Sequence, residues 1–338
     1  MRMTTSMMMD SYNGTLSDNL NSLNTSFNQI SSQRKFSRAS DDPTAAMQSL
    51  KSIHSLNDIQ QYKSNIDQTT SWMNTTESNV NIINQIVLSV QETFTTANNS
   101  ATRNSTDNKI SAQTLQSVQS QLLQTLNSTF GGRYIFGGSE NGPAPFKAGD
   151  AATDGKLMYF NTQGNPPAYV PFSSINTTNI SGMQMEMPVD VGLGMQVDVN
   201  GKVAKGTAFE SATSGIDLMS FNMTNTGCQN LYDTLTSAIN KLQAGSNVDL
   251  SSELGTSQQA YDSVLSTTVN IGEKTKMLTF LSDKNVVQNT NETTKLSQVS
   301  DVDTTQAITD YQLREMVYRA SLSVGTKIIQ PSIIDFMR

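Results

Sequence analysis

Proline and glycine are spread so unevenly along these 338 residues that they divide the chain into parts able to form long helices and one part that cannot. Six of the eight prolines fall between Pro143 and Pro188, and fourteen of the twenty glycines between Gly131 and Gly215. Inside a helix Pro costs about 3 kcal/mol and Gly about 1 kcal/mol relative to Ala. The flanks hold Pro43, Pro331 near the end and only scattered glycines, so they read as helix. The middle reads as turns and short strands.

The flanks carry helical periodicity. Near the start, Leu16, Leu20, Leu23, Phe27 and Ile30 recur at alternating spacings of four and three, and near the end Leu313, Val317, Ala320, Val324 and Ile328 do much the same. An isolated helix with one thin apolar stripe is marginal in water. The two stripes therefore predict that the ends pair with each other, with further copies of the chain, or both. The first helix is expected over 11–35, with Arg34 and Lys35 in its last turn, where cations favour the helix dipole. After a loop, Phe36–Ser40, Asp42 is placed to cap a second helix and Pro43 to occupy its first position. That helix runs to about Asn99 on a seven-residue series, Ile59, Ile66, Met73, Val80, Val87, Phe94 and Ala101, joined by Ile83, Val90 and Ala97. This is a coiled-coil seam roughly 80 Å long. A helix over Lys109–Phe130, with Leu115, Val118, Leu122 and Leu126, is expected to fold back antiparallel.

In the middle, Tyr134–Phe136, Leu157–Phe160, Ala168–Phe172, Met183–Val191 and Met195–Val199 are strand candidates, several with period-two alternation. Asn200-Gly201 is a preferred hairpin dipeptide. Helices then resume. Leu231, Leu235, Ile239 and Leu242 mark one. Val264, Ile271, Leu278, Leu281 and Leu296 mark another over Ser251–Ser300, polar at Asn285, Asn289 and Glu292. The last is expected from Asp303 to just before Pro331. The fold class is mainly α: long antiparallel coiled-coil helices from both ends of the chain, with a small inserted antiparallel β domain.

The same residues argue against catalysis. Cys228 is the single cysteine and His54 the single histidine, and no G-x-S-x-G elbow is present, so neither a catalytic triad nor an ordinary zinc site has its parts. Cys228 reads as a small buried residue and His54 as a helix-surface or seam residue. No cofactor is called for. A net charge of −7 and a pI near 4.8 speak against nucleic acid as a partner. No run approaches the ~18 apolar residues of a membrane span, so no membrane insertion is expected. Met1–Asp10 lacks the continuous apolar core of a secretory signal.

Three stretches carry a resemblance. Arg38-Ala39-Ser40-Asp41-Asp42-Pro43-Thr44-Ala45-Ala46 is similar to the Ser-Asp-Asp-Pro turn of the bacterial flagellin superfamily. Gly132-Arg133-Tyr134-Ile135-Phe136-Gly137-Gly138, with Pro145-Phe146 after it, resembles the hook–filament junction branch of that superfamily. The run from Asp301-Val302-Asp303 to Ser332-Ile333-Ile334-Asp335-Phe336-Met337 has the family's acidic start, amphipathic helix and apolar tail. Together they frame residues 1–146 and about 255–338. The chain departs from the pattern in the Met-rich Met3–Met9 and the polar Asn285–Thr294.

The resemblance implies a structural protein and no enzyme, joining flagellar hook to filament and exported unfolded through the flagellar type III channel without a cleaved signal. It implies an extracellular place in the flagellum. Its partners would be copies of itself in the flagellar lattice, the first hook–filament junction protein, flagellin, and an export chaperone on the C-terminal helix before secretion. It implies three domains: 1–39 with 304–338 as an inner tube, 40–130 with 218–303 as a helical shell, and 131–217 as an outward β insert. Leu16, Leu20, Leu23, Phe27, Ile30, Arg38, Asp41, Asp42, Leu313, Val317, Ala320 and Val324 are the candidate assembly interface. A filament flagellin and an unrelated coiled-coil scaffold are the alternatives.

Overall fold

The computed structural model describes residues 5–98, 104–138, 142–150, 154–161, 166–176, 187–199, 201–224, 227–244 and 248–336, with side chains from residue 6 to 326. Among them are seven α-helices: α1 Thr5–Ser32, α2 Pro43–Asn98, α3 Ser105–Leu126, α4 Gly215–Met219, α5 Leu231–Ala244, α6 Ser251–Ser300 and α7 Thr304–Phe336. The contacts divide the chain into two compact units, 61–285 and 1–60 with 286–338.

In the 61–285 unit the heptad series becomes a core. Ile66, Met73, Val80, Val87 and Phe94 are buried, with Ile83, Val90 and Ala97 beside them; Ala101 lies outside the described residues. They cluster with Leu115, Leu122 and Leu126 of α3, the Leu231, Leu235, Ile239 and Leu242 stripe of α5, and Val264, Ile271, Leu278 and Leu281 of α6. The many Thr and Ser residues of these helices are satisfied locally. Even Thr76, fully buried, donates its Oγ1 to the Trp72 carbonyl at 2.9 Å, one turn back. Helix α3 begins four residues earlier than its apolar spacing predicts, because Asn104 accepts from Thr106 and Asp107 N–H while Asp107 reaches back to the Asn104 N–H.

The inserted β region is built from short strands. β1 Thr129–Phe130 and β2 Arg133–Tyr134 are joined by Gly131 and Gly132, both at positive φ, as a type I′ turn requires. Of the expected strand over Tyr134–Phe136 only Tyr134 pairs, as the end of β2. Ile135–Gly137 coils instead into a 3₁₀ turn that carries Ile135 and Phe136 into the core. β3 Phe146–Ala148, β4 Leu157–Asn161 and β5 Ala168–Pro171 make an antiparallel meander, close to the expected strands at 157–160 and 168–172. Its inner rings, Phe146, Tyr159 and Phe172, pack with centroids 5.5–6.5 Å apart.

Of the expected strand Met183–Val191, residues 183–186 lie outside the described residues, and only β6 Pro188–Val189 pairs, with β7 Phe209–Glu210. Met195–Val199 yields a single bridge, Val197 to Val203, around a loop in which Gly201 has φ +78° and donates to the Asp198 carbonyl; Asn200 lies outside the described residues. The last strands, β8 Ser220–Phe221 and β9 Gln229–Asn230, form another small pair.

Polar clamps fasten the β region to helices of the same unit. The Asp233 carboxylate on α5 accepts from the Leu157 N–H at 2.7 Å and from Asn230 Nδ2 at 2.8 Å. Asn65 on α2 donates to the Asp190 carbonyl at 2.7 Å, and Lys274 on α6 to the Ala212 carbonyl at 2.9 Å.

Candidate assembly interface

The unit made of 1–60 and 286–338 contains the candidate interface. Its two terminal helices pair antiparallel, joined by direct hydrogen bonds and ring contacts. Tyr12 Oη donates to the Ser321 carbonyl at 3.1 Å, Asn19 Nδ2 to Ser321 Oγ at 2.9 Å, and Arg314 Nη1 to the Ser22 carbonyl at 3.0 Å, while the Phe27 and Tyr311 rings meet tilted at 47° with centroids 6.4 Å apart.

The boundaries differ from expectation at three points. Helix α1 starts at Thr5 rather than near residue 11. It ends at Ser32, so Arg34 and Lys35 are not in a helical last turn. They continue as an extended segment, with Arg34 bridging Asp301 and the Lys35 N–H donating to the Ser300 carbonyl at 2.8 Å. Helix α7 passes through Pro331 to Phe336 instead of stopping before it, forgoing the hydrogen bond Pro cannot donate. Its start is as expected: Asp303 Oδ1 accepts from the Thr305 and Gln306 N–H groups.

The predicted stripes split between two faces. On α1, Leu16, Leu23 and Ile30 are half-buried, interleaved with Tyr12, Asn19 and Ser26, whereas Leu20 is exposed and Phe27, largely exposed too, rests one side of its ring against Tyr311. On α7 the partner of α1 is a different stripe. Ala307, Tyr311, Tyr318, Ser321 and Gly325 face inward, and all of Leu313, Val317, Ala320 and Val324 are exposed. Spacing alone did not single out this small and aromatic series, although 311, 318 and 325 also repeat every seven residues. Part of the exposed stripe lines an apolar groove of about 470 Å³, where Val317, Ala320 and Val324 meet Met8 and Leu16. Leu20 is 41% and Leu313 54% exposed.

The charged turn is a second feature. Asp42 caps α2 as expected, its Oδ1 accepting from the Ala45 N–H at 2.9 Å. The Asp41 carboxylate folds back onto its own turn, accepting from the Arg38 N–H at 3.0 Å and the Ser37 N–H at 3.2 Å. Those bonds hold its carboxyl below the usual range, the Arg38 charge adding to them. Asp301 is lowered in the same sense by the Ser297 and Ser300 hydroxyls and then by Arg34 and Lys35. Arg38, Asp41 and Asp42 line one wall of a polar groove of about 580 Å³ whose other wall is the Asn21, Asn24, Asn28 face of α1.

Nothing described prepares a nucleophile or a metal. Burial, with the Asp233 charge behind it, pushes the Cys228 thiol up to about 11, and its Sγ contacts the Phe172 carbonyl at 3.3 Å, so it stays protonated and covered near neutral pH. His54 is exposed on α2. Among the described residues no cluster of three metal-ligating side chains occurs, and no helix is long and apolar enough to cross a membrane.

Comparison with known proteins fits this architecture. Residues 3–141 match the bacterial flagellin N-terminal helical region. Over those residues the chain is flagellin-like. In fold it is similar to a protein assigned as a flagellar hook-associated protein of Vibrio parahaemolyticus, with a TM-score of 0.58 and 17% identity over 77% of this chain and 100% of that one. The flagellar junction protein FlgL of Legionella pneumophila (TM-score 0.48, 14% identity, 75% of this chain and 100% of that one) and Bacillus cereus FlgL (0.47, 18%, 72% and 99%) are more distant. No curated protein sequence matches this chain.

Proposed function

We propose that this chain is a structural protein of the bacterial flagellum, set at the junction of hook and filament and assembled through its terminal helices. The observation that carries the proposal is the exposed apolar stripe of α7 in a chain whose residues 3–141 match the flagellin N-terminal helical region. Leu313, Val317, Ala320 and Val324 stand exposed at helical spacing, the last three flanked by Met8 and Leu16 across an open groove. A second copy beside the first would cover them. In this reading 1–39 and 304–338 form an inner tube, 40–130 and 218–303 the surrounding shell, and 131–217 the outer face. The turn Arg38, Asp41 and Asp42 adds a polar contact to the neighbouring copy. Export precedes assembly, with the C-terminal helix held by a chaperone, and the finished neighbours are the first junction protein on one side and flagellin on the other.

Immunogold labelling of purified flagella tests the placement. Label confined to the hook–filament boundary is the expected result. Label along the whole filament would make the chain a filament flagellin, and its absence from flagella would leave the coiled-coil scaffold.

A further inference from the structure

The β1–β2 hairpin carries Arg133 into a cluster that is short of hydrogen-bond acceptors. Its guanidinium lies over the Trp72 ring, 5.8 Å from the centroid, and Phe130 of the same hairpin meets that ring edge-on at 5.9 Å. Trp72 is buried, and its indole N–H has no hydrogen-bond partner. The acceptor that Arg133 does find is a thioether: Nη2 donates to Met187 Sδ at 3.1 Å. Sulfur is a weak acceptor. Met187 is held in place through its backbone. Its N–H donates to the Glu210 carboxylate, and its carbonyl accepts from the Ser211 N–H at 3.1 Å and the Ser211 hydroxyl at 2.8 Å. Its side chain is half-buried against the hydrophobic cluster and partly open to solvent.

We propose that Met187 is an oxidation site whose sulfoxide is received by Arg133. Hydrogen peroxide supplies the oxygen. The sulfur lone pair attacks one peroxide oxygen, the O–O bond breaks and an S–O bond forms. The second oxygen leaves as water, carrying both protons, and the thioether has lost two electrons. A sulfoxide formed in a core ordinarily disrupts it, because a polar atom arrives where nothing bonds it. Here the oxygen forms on the sulfur that a guanidinium already faces. Arg133 then makes a charge-assisted hydrogen bond to oxygen in place of one to sulfur, the weaker acceptor. Oxidation therefore tightens the attachment of the hairpin to β6 and β7 at this point. Without a donor at position 133 only the loss of apolar packing remains. The site is a property of the single chain and does not rest on the proposed function.

The test is amide hydrogen exchange read by mass spectrometry on full-length chain treated with limiting hydrogen peroxide. Peptides that contain Met187 differ by the mass of one oxygen when oxidised, so both forms are followed in one sample, whatever happens at the other methionines. In the unsubstituted chain the oxidised peptide over 187–191 should exchange roughly threefold or more slowly than its unoxidised twin. Arg133→Met keeps the length of the side chain and cannot donate, and there the order should reverse. Arg133→Lys keeps a charged donor and should restore the original order. An oxidised peptide that exchanges as fast as its twin or faster in the unsubstituted chain would overturn the proposal, even if Arg133→Met fails to fold. So would the same order in the unsubstituted chain and in Arg133→Met. Met187 left intact by peroxide that has consumed the exposed Met277 would overturn it too, by showing that the sulfur is out of reach.

Discussion

The two units of this chain use the same helical grammar to opposite ends. In the 61–285 unit the heptad positions of α2 are spent inside the chain: Met73, Val80, Val87 and Phe94 are fully buried, and the described hydrophobic cluster lies wholly between Ile66 and Leu281. In the 1–60 and 286–338 unit the buried apolar residues, among those described, are Ala46, Ile59 and Ala307, while Phe27, Leu313, Met316, Val317 and Val324 are all more than half exposed. The lesson is that apolar periodicity reports where a helix wants a partner and not whether the partner is in the same chain. A unit that closes its own core folds by itself. One that presents its most apolar stripe to solvent leaves surface that a partner could cover.

The largest expected contrast comes from truncating one side chain in each unit. Phe94→Ala removes a fully buried ring and should cost about 3–5 kcal/mol in urea unfolding of the monomer. Leu313→Asp should change monomer stability by no more than about 0.5 kcal/mol, since the side chain is already in water. On assembly the new carboxylate would be buried unpaired, so filaments should shorten and flagellin should accumulate in the medium. A large monomer destabilisation by Leu313→Asp would erase the difference between the units.

A smaller effect sharpens the picture of the closed unit. Gly215 is so tightly surrounded that a Cβ would lie 2.6 Å from the Phe146 ring and 3.0 Å from Phe136 Cβ. Gly215→Ala should therefore cost about 1–3 kcal/mol by overpacking. An unchanged urea midpoint would show that the insert is loosely held there.

In the open unit the comparable local probe is the cap. Asp42→Ala should cost about 1 kcal/mol of monomer stability. If the turn also contacts a neighbouring copy, incorporation into flagella should fall by more than that loss explains. Equal and small effects on both would reduce Asp42 to its cap.

The smallest expected effect is a difference in the sign of pH dependence. Asp41 and Asp301 have carboxyls lowered in the folded chain, so their stabilisation is present above the unfolded value of 3.8 and is lost as pH falls through the folded one. Asp233 is raised, by burial first, against the opposing bonds from Leu157 and Asn230 and the Lys156 charge. Its protonated form is the favoured one, so its contribution is full below 3.8 and is lost as pH rises through the folded value. Asp41→Asn should flatten the acid loss, and Asp233→Asn the loss just above it. Matching changes in slope for both would contradict the opposed environments.

The sequence made the long helices legible because a repeat of seven over many turns has few other solutions. It also marked the caps at Asp42 and Asp303, where the residue type carries the mechanism. The β insert was harder to read. Its strands are two to five residues long, and Ile135-Phe136 turned into the core where a β pattern predicted a strand. The α1–α7 seam was hidden for another reason. Ranking by apolarity picks Leu313, Val317 and Val324, yet the close partner of α1 is Ala307, Tyr311, Tyr318, Ser321 and Gly325. Small and aromatic residues let two backbones approach, and an apolar scale gives them little weight. Asp41 folding back onto Ser37 and Arg38 was likewise unreadable, since several turns place an acid near those amides.

Amide hydrogen exchange on a verified monomer tests the central claim most directly. Segments within α2 and α3, around residues 80–94 and 112–126, should exchange with the protection of a closed core. Those of α1 and α7, 5–32 and 304–326, should exchange much faster and become protected on assembly into flagella. Equal protection of both sets in the monomer would mean that the terminal helices are already complete, and the account of an interface held open for other copies would be wrong.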